Sequence, residues 1–183
     1  MKNKILFLCT GNSARSIMAE GIANSFEFDD LSFQSAGSDP VGEVNPFCIK
    51  TLKKFAISKS YLRSKSWEEF NIEKKIKGSW SPDIIVTLCQ NAEETSCPVW
   101  LGDIPKISWN LDDPAIFSSE DEAMKAFENI FIILSLRFQF LKDAVASTEF
   151  IAKKKEFQDL KKSDRRNQIS LVISNYLIEA AND

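Results

Sequence analysis

The chain has 183 residues, of which 44% are hydrophobic, which is enough for one compact domain with a substantial core and too few for two. Its formal net charge is -3 and its basic residues are scattered among acids, so a nucleic-acid-binding protein is not expected. The chain contains no histidine, so acid, base and nucleophilic chemistry falls to carboxylates and thiols, and no metal site is expected.

The apolar run at residues 5–9 is too short for the core of a signal peptide, and no segment has the length of a membrane span. We therefore expect a cytoplasmic protein with no membrane contact. Thiols stay reduced in the cytoplasm, so the cysteines are interpreted as core, catalytic or redox residues. They are Cys9, Cys48, Cys89 and Cys97.

The first two thirds of the chain alternate between short apolar runs and segments with apolar residues at helical spacing. Runs that are apolar throughout predict strands buried on both faces, which is typical of a parallel sheet covered by helices on both sides. The sequence therefore predicts an α/β fold. The predicted elements are strand 4–9, helix 14–26, strand 31–36, helix 46–55, strand 83–88 and strand 106–109.

From Glu120 onward the pattern is strongly helical, and apolar residues occur on nearly every side of the predicted helix. Such a helix needs cover on both sides, and the apolar stripe of the tail is the candidate cover. Two alternatives stay open: the tail packs on its own chain, or the C-terminal helices form a homodimer. The tail stripe consists of Ile169, Val172, Ile173, Tyr176 and Leu177.

Two cysteines fall at the ends of predicted strands. Cys9 ends the first strand, and Cys89 directly follows the strand at 83–88. In parallel sheets, ligands bind beyond the carboxyl ends of the strands. The sequence therefore places two thiols at the functional edge of the sheet.

The segment that follows Cys9 has the features of an oxyanion site. A loop between a strand and a helix presents backbone N–H groups and the positive end of the helix dipole to one point. These amides, with Arg15 and Ser16, are expected to lower the pKa of the Cys9 thiol, and Arg15 is suited to bidentate binding of an oxyanion. Gly11 and Asn12 tolerate left-handed backbone. The alternative is a buried strand cysteine beside an ordinary surface arginine.

The full string CTGNSARSIMAEG, residues 9–21, resembles the anion-binding loop and following helix of the low-molecular-weight protein tyrosine phosphatase superfamily, in its arsenate reductase branch. The resemblance implies a four-stranded parallel sheet flanked by helices. We expect a single domain over 1–183, with a phosphatase-like core at 1–146 and a helical C-terminal extension at 147–183. Further matching segments are SAGSDP (35–40), LRSKSWEEF (62–70), VTLCQNAEETSCPVW (86–100) and WNLDDPA (109–115).

The resemblance also implies roles for individual residues. Cys9 would be the nucleophile, Arg15 would bind and stabilise the oxyanion, and Asp113 would protonate the leaving oxygen. The alternative for Asp113 is a turn residue before Pro114. The substrate-binding residues implied by the loop match are Thr10, Gly11, Asn12, Ser13, Ala14 and Ser16.

A reductase differs from a phosphatase in needing a further thiol to attack the sulfur of the adduct. Cys89 and Cys97 resemble the redox pair of the arsenate reductases, in which the first attacks the adduct and the second resolves the new disulfide. The alternatives are a buried strand-end cysteine and a loop cysteine. Ala115 and Ile116 stand where the tyrosine phosphatases carry aromatic residues, which favours a small inorganic anion.

We therefore predict reduction of arsenate to arsenite, with no bound cofactor and an external thiol reductant. Ala14 stands where thioredoxin-coupled relatives often have a cysteine, so thioredoxin and a glutathione or glutaredoxin system both stay open as the reductant and redox partner. The enzymatic alternative is a phosphatase acting on phosphotyrosine or small phosphoesters. The non-enzymatic alternative is an oxyanion-sensing module. Cys48 is interpreted as a core residue.

Overall fold

The computed structural model describes residues 2–58, 60–70, 80–89, 104–117 and 119–182. No helix within these ranges has the length and hydrophobicity needed to cross a membrane. Short 3₁₀ turns occur at Trp67–Phe70 and Pro114–Ile116. The strands and helices are β1 (Asn3–Cys9), α1 (Arg15–Ser25), β2 (Leu31–Gly37), α2 (Pro46–Lys54), β3 (Ile84–Thr87), β4 (Lys106–Ser108), α3 (Glu120–Ala146), α4 (Thr148–Glu156) and α5 (Lys162–Asn182).

The strands form a sheet of four in the order β2-β1-β3-β4, and every pairing is parallel. Cys9 pairs with Gly37 at the carboxyl end of β1, and Leu8 pairs with Thr87 of β3. The central strands are almost fully buried, as their continuous apolar runs predict. The predicted α/β fold with a four-stranded parallel sheet is confirmed.

The two faces of the sheet pack into separate hydrophobic clusters. Ile5 and Phe7 point into a large core shared with α1, α3 and α5, in which the Phe7 ring lies 5.6 Å from that of Phe138 and 6.0 Å from that of Trp109. On the other face, among the described residues, Leu6 and Leu8 pack with the 3₁₀ turn at Trp67–Phe70 and its neighbours. The sheet is therefore covered on both sides, and its carboxyl edge stays accessible.

The tail packs on its own chain, with Ile173 and Leu177 of α5 fully buried in the main core. Within the described residues of this one chain, the expected cover of α3 on both sides is not found, since Ile132 is 51% and Leu136 is 66% exposed. The physical reason is that α5 covers only the buried stripe of α3, while the other side faces solvent. Ser147 separates α3 from α4 by accepting a hydrogen bond from the Phe150 amide as an N-cap.

Candidate active site

The loop at residues 10–14 turns its carbonyl groups away from the carboxyl edge of the sheet. The carbonyl oxygens of Cys9, Thr10, Gly11 and Ser13 accept hydrogen bonds from backbone amides of residues 38–45. The loop lines the cavity at this edge, and its Asn12 N–H donates to Cys9 Sγ there. Helix α1 begins directly afterwards, without a capping side chain or an acidic residue in its first turn. Its positive end is therefore available to an anion.

Asn12 holds the loop in shape from inside. It is fully buried with φ of 43°, its Oδ1 accepts from the Lys65 amide at 2.7 Å, and its Nδ2 donates to Ser16 and Ser35 Oγ, both at 2.9 Å. Asn12 adopts the left-handed backbone that its residue type tolerates. Gly11 does not, because the loop makes its turn at Asn12; what restricts Gly11 is Val41, which lies 3.3 Å from the position of an added Cβ.

A buried ion pair lies beneath the loop, and no pattern in the sequence predicted it. Lys65 Nζ contacts Glu20 Oε2 at 2.8 Å, and their side chains are only 4% and 1% exposed. Ser35 Oγ donates to the same carboxylate, which links the pair to Asn12. Hydrophobic periodicity does not mark a buried lysine. The one available signal was that Lys65 lies within the matching segment LRSKSWEEF.

We expect Lys65→Met to lower the free energy of unfolding by about 3–5 kcal/mol, because it leaves the Glu20 carboxylate buried without a cation. Urea denaturation of the purified variant measures this loss. The matched control is Lys54→Met, which breaks the more exposed pair between Lys54 and Glu128 and should cost far less. Equal losses in the two variants would contradict a stabilising role for the buried pair.

The thiols of Cys9 and Cys89 lie against each other, both at least nine-tenths buried. Cys9 Sγ hydrogen-bonds Ser16 Oγ at 2.8 Å and accepts from the Asn12 amide at 3.2 Å, and the two thiols hydrogen-bond each other. The Thr10 amide in turn donates to Cys89 Sγ. The structure therefore brings together the two cysteines that the strand ends predicted.

The pair holds one negative charge near neutral pH. The hydrogen bond to Cys9, the charge of Arg15 and the Thr10 amide lower the pKa of Cys89 to about 6, against the effect of burial. The hydrogen bond to Cys89 and burial raise the pKa of Cys9 well above its ordinary value, although Ser16 and Asn12 lower it. The predicted lowering of the Cys9 pKa is therefore wrong for the resting pair, because the Cys89 thiol competes with Cys9 for the single negative charge.

Arg15 and Asp113 form the opposite wall of the site. Arg15 Nη2 donates to Asp113 Oδ2 at 2.8 Å, and Arg15 Nη1 donates to the Leu111 carbonyl at 3.0 Å. Asp113 Oδ1 accepts from the Ala115 amide, so Asp113 also caps the 3₁₀ turn at Pro114–Ile116. The turn role and a site role of Asp113 are thus compatible. The carboxyl stays 42% exposed and faces the cavity.

These groups line one cavity of about 370 Å³. Ser16 lies beneath it, and Cys97 lies outside the described residues. Cys48 is buried in the main core, where burial raises its pKa to about 12. No group of three or more His, Cys, Asp or Glu side chains in the described ranges is placed to hold a metal ion. The lining residues are Cys9, Thr10, Gly11, Asn12, Ser13, Ala14, Arg15, Cys89, Leu111, Asp112, Asp113 and Ala115.

Comparisons with known proteins agree with this geometry. The family model described as low molecular weight phosphotyrosine protein phosphatase matches residues 4–151. The arsenate reductase of Halalkalibacterium halodurans is 36% identical over 121 residues, which cover 66% of this chain and 81% of that protein. The arsenate reductase of Bacillus subtilis is 38% identical over 128 residues, which cover 69% and 86%. A solved arsenate reductase in its phosphate-binding state superposes with a TM-score of 0.58 at 25% identity, covering 78% of this chain and 98% of that one.

Proposed function

The chain belongs to the low molecular weight phosphotyrosine protein phosphatase family, and within that family we propose that it reduces arsenate to arsenite. The observation that carries the proposal is the Cys89 thiol, which hydrogen-bonds Cys9 inside the oxyanion cavity. Hydrolysis of a phosphocysteine requires water and no second thiol, whereas reduction requires one within reach of the first sulfur. The curated relatives named arsenate reductase support the same activity.

The first step is attack of Cys9 on arsenate. The loop amides and the guanidinium of Arg15 hold the oxyanion, and they stabilise the charge that develops on its oxygens. The pair of thiols carries one negative charge, so movement of the shared proton to Cys89 leaves Cys9 as the attacking thiolate. A sulfur–arsenic bond forms, the bond from arsenic to one of its hydroxyl groups breaks, and that hydroxyl leaves as water after Asp113 gives it a proton.

The second step is reduction of the arsenic. Cys89 gives its proton to the Asp113 carboxylate, which lost its own proton in the first step and lines the same cavity. The resulting Cys89 thiolate attacks Cys9 Sγ, the new disulfide bond forms, and the sulfur–arsenic bond breaks. Its electron pair stays on arsenic, which passes from the pentavalent to the trivalent state and is released as arsenite. The contact between the two thiols places the attacking and the attacked sulfur side by side.

The third step restores Cys9. We propose that Cys97 attacks Cys89, which frees Cys9 and leaves a Cys89–Cys97 disulfide for an external thiol reductant to reduce with two electrons and two protons. The reductant is a thioredoxin or a glutathione and glutaredoxin system, and the enzyme itself holds no cofactor. Ala115 lies at the cavity wall, and none of the described residues that line the cavity is aromatic, which supports the small inorganic anion over the phosphoester.

The test is arsenite production by the wild-type protein with three reductants: thioredoxin with its reductase, glutathione with glutaredoxin, and dithiothreitol alone. Hydrolysis of an aryl phosphate is measured in parallel on the same preparation. We expect arsenite with at least one protein reductant and little aryl phosphate hydrolysis. Efficient hydrolysis without any arsenite would overturn the proposal in favour of the phosphatase.

A further inference from the structure

The C-terminal helix α5 lies beyond the residues that match the family, yet it contacts the segment that carries the wall of the active site. We propose that α5 is a positioning element of the oxyanion site, which acts through Trp109 and Arg137 on the Leu111 carbonyl that holds Arg15. The inference deepens the proposed function, and it concerns where Arg15 is held and not which anion is reduced.

The first connection is the indole of Trp109. Trp109 directly follows β4, is 1% exposed, and donates from Nε1 to the carbonyl of Leu177 in α5 at 2.9 Å. Its own amide donates to the Thr87 carbonyl at 2.8 Å, which continues the pairing with β3. The end of β4 is therefore held between the sheet on one side and α5 on the other.

The second connection is Arg137 of α3. Its Nη1 donates to the Trp109 carbonyl at 2.9 Å, and its Nη2 donates to the Ala181 carbonyl at 3.2 Å. The Ala181 carbonyl belongs to the last turn of α5, where no intrahelical donor remains, and a cation is favourable at this end of the helix dipole. Arg137 thus caps α5 and holds the Trp109 main chain with one planar group.

The path from Trp109 to the anion site is short. Only Asn110, in left-handed backbone with φ of 35°, separates Trp109 from Leu111. The Leu111 amide donates to the Leu88 carbonyl at 3.0 Å, and its carbonyl accepts from Arg15 Nη1. A shift of the Trp109 main chain therefore moves the acceptor that orients the guanidinium of Arg15.

The experiment measures the dissociation constant of inorganic phosphate by calorimetry, at a temperature where every variant is folded by circular dichroism. We expect Arg137→Gln to weaken phosphate binding by about tenfold, since small misplacements of a binding group have large effects. Ser170→Ala is the matched control, because it removes a tail-to-core hydrogen bond from Asn3 in the N-terminal half of α5, away from Leu177 and Ala181. The control should bind phosphate within about twofold of wild type.

A double-mutant cycle separates positioning from general loss of stability. If Arg137 acts through Arg15, Arg137→Gln should change phosphate affinity by less than about twofold in an Arg15→Ala background. Trp109→Phe, which keeps an aromatic ring and loses the Nε1 donor, serves as the second variant if Arg137→Gln does not fold. Two results would overturn the proposal. In the first, Arg137→Gln and Ser170→Ala change phosphate affinity equally; in the second, Arg137→Gln weakens phosphate binding by the same factor with Arg15 present and with Arg15→Ala. Phosphate binding needs no turnover, so a failure to form arsenite in the wild type would leave this test intact.

Discussion

We expect Cys9→Ser to abolish arsenite formation and any aryl phosphate hydrolysis, each by at least about 1,000-fold, as is typical when a covalent nucleophile is removed. A serine hydroxyl stays protonated at neutral pH, so it cannot form the adduct from which both reactions proceed. Oxyanion binding should survive, because the loop amides and Arg15 do not depend on the thiol. Arsenite assays and phosphate calorimetry on the same preparation measure the two effects.

The control for Cys9→Ser is Cys48→Ser, which changes a buried thiol outside the cavity. A serine at this position keeps a donor for the Ala14 carbonyl that Cys48 Sγ contacts at 3.8 Å, so activity should be retained. Turnover that persists in Cys9→Ser would contradict the covalent mechanism. Phosphate binding without any turnover in the wild type would instead favour the oxyanion-sensing module.

The second large effect is expected for Cys89→Ala. Arsenite formation should fall by at least about 100-fold, because no thiol remains beside the Cys9 adduct to take its sulfur. Residual aryl phosphate hydrolysis should be unaffected, since it needs only the first step and water. The pKa of Cys9 should fall, because the hydrogen bond to Cys89 is the largest cause that raises it.

The pH dependence follows from the same pair. The pKa of Cys89 is lowered to about 6, so the pair carries its thiolate above that pH and becomes fully protonated below it. Arsenite formation in the wild type should therefore decline as the pH falls through about 6. Titration of the ultraviolet thiolate absorbance in wild type and in Cys89→Ala checks the pKa of about 6 and its assignment to Cys89.

Two outcomes would contradict the complete relay through Cys89 and Cys97. Full arsenite formation by Cys89→Ala would show that an external thiol attacks the adduct directly. Activity of Cys97→Ser with glutathione, together with loss of activity in Cys89→Ala, would keep the attack by Cys89 and replace the third step with a small thiol. Loss of activity in both variants is the result that the complete relay predicts.

The sequence alone was sufficient for the elements that depend on local patterns. Continuous apolar runs predicted the buried strands, and the start of α1 near Arg15 followed from helical periodicity after a turn-forming segment. The strand ends placed Cys9 and Cys89 at one edge, since parallel strands share their direction. The expectation that Asp113 belongs to the site came from the family resemblance of WNLDDPA. By itself, an aspartate before a proline could equally be a turn residue.

Tertiary structure decided whatever depends on groups far apart in the chain. The pairing of Lys65 with Glu20 beneath the loop has no periodic signal, because burial of a charge requires a partner brought from another segment. Solvent exposure of Ile132 and Leu136 depends on which side of α3 the tail covers.

The protonation of the active-site thiols shows the same division most clearly. The residue types around Cys9 indicated a lowered pKa, and the sequence could not show that a second thiol would share its proton. The structure places Cys89 against Cys9, so the charge of the pair is set by a contact between residues 80 positions apart. Chain pattern determined the strand, the loop and the place of Cys9 at the end of β1, because these depend on neighbouring residues. Packing determined the contact between the two thiols, the negative charge that they share, and the hydrogen bonds that join α5 to Trp109 and Arg137. The reason is that electrostatic and hydrogen-bond energies depend on distance in space.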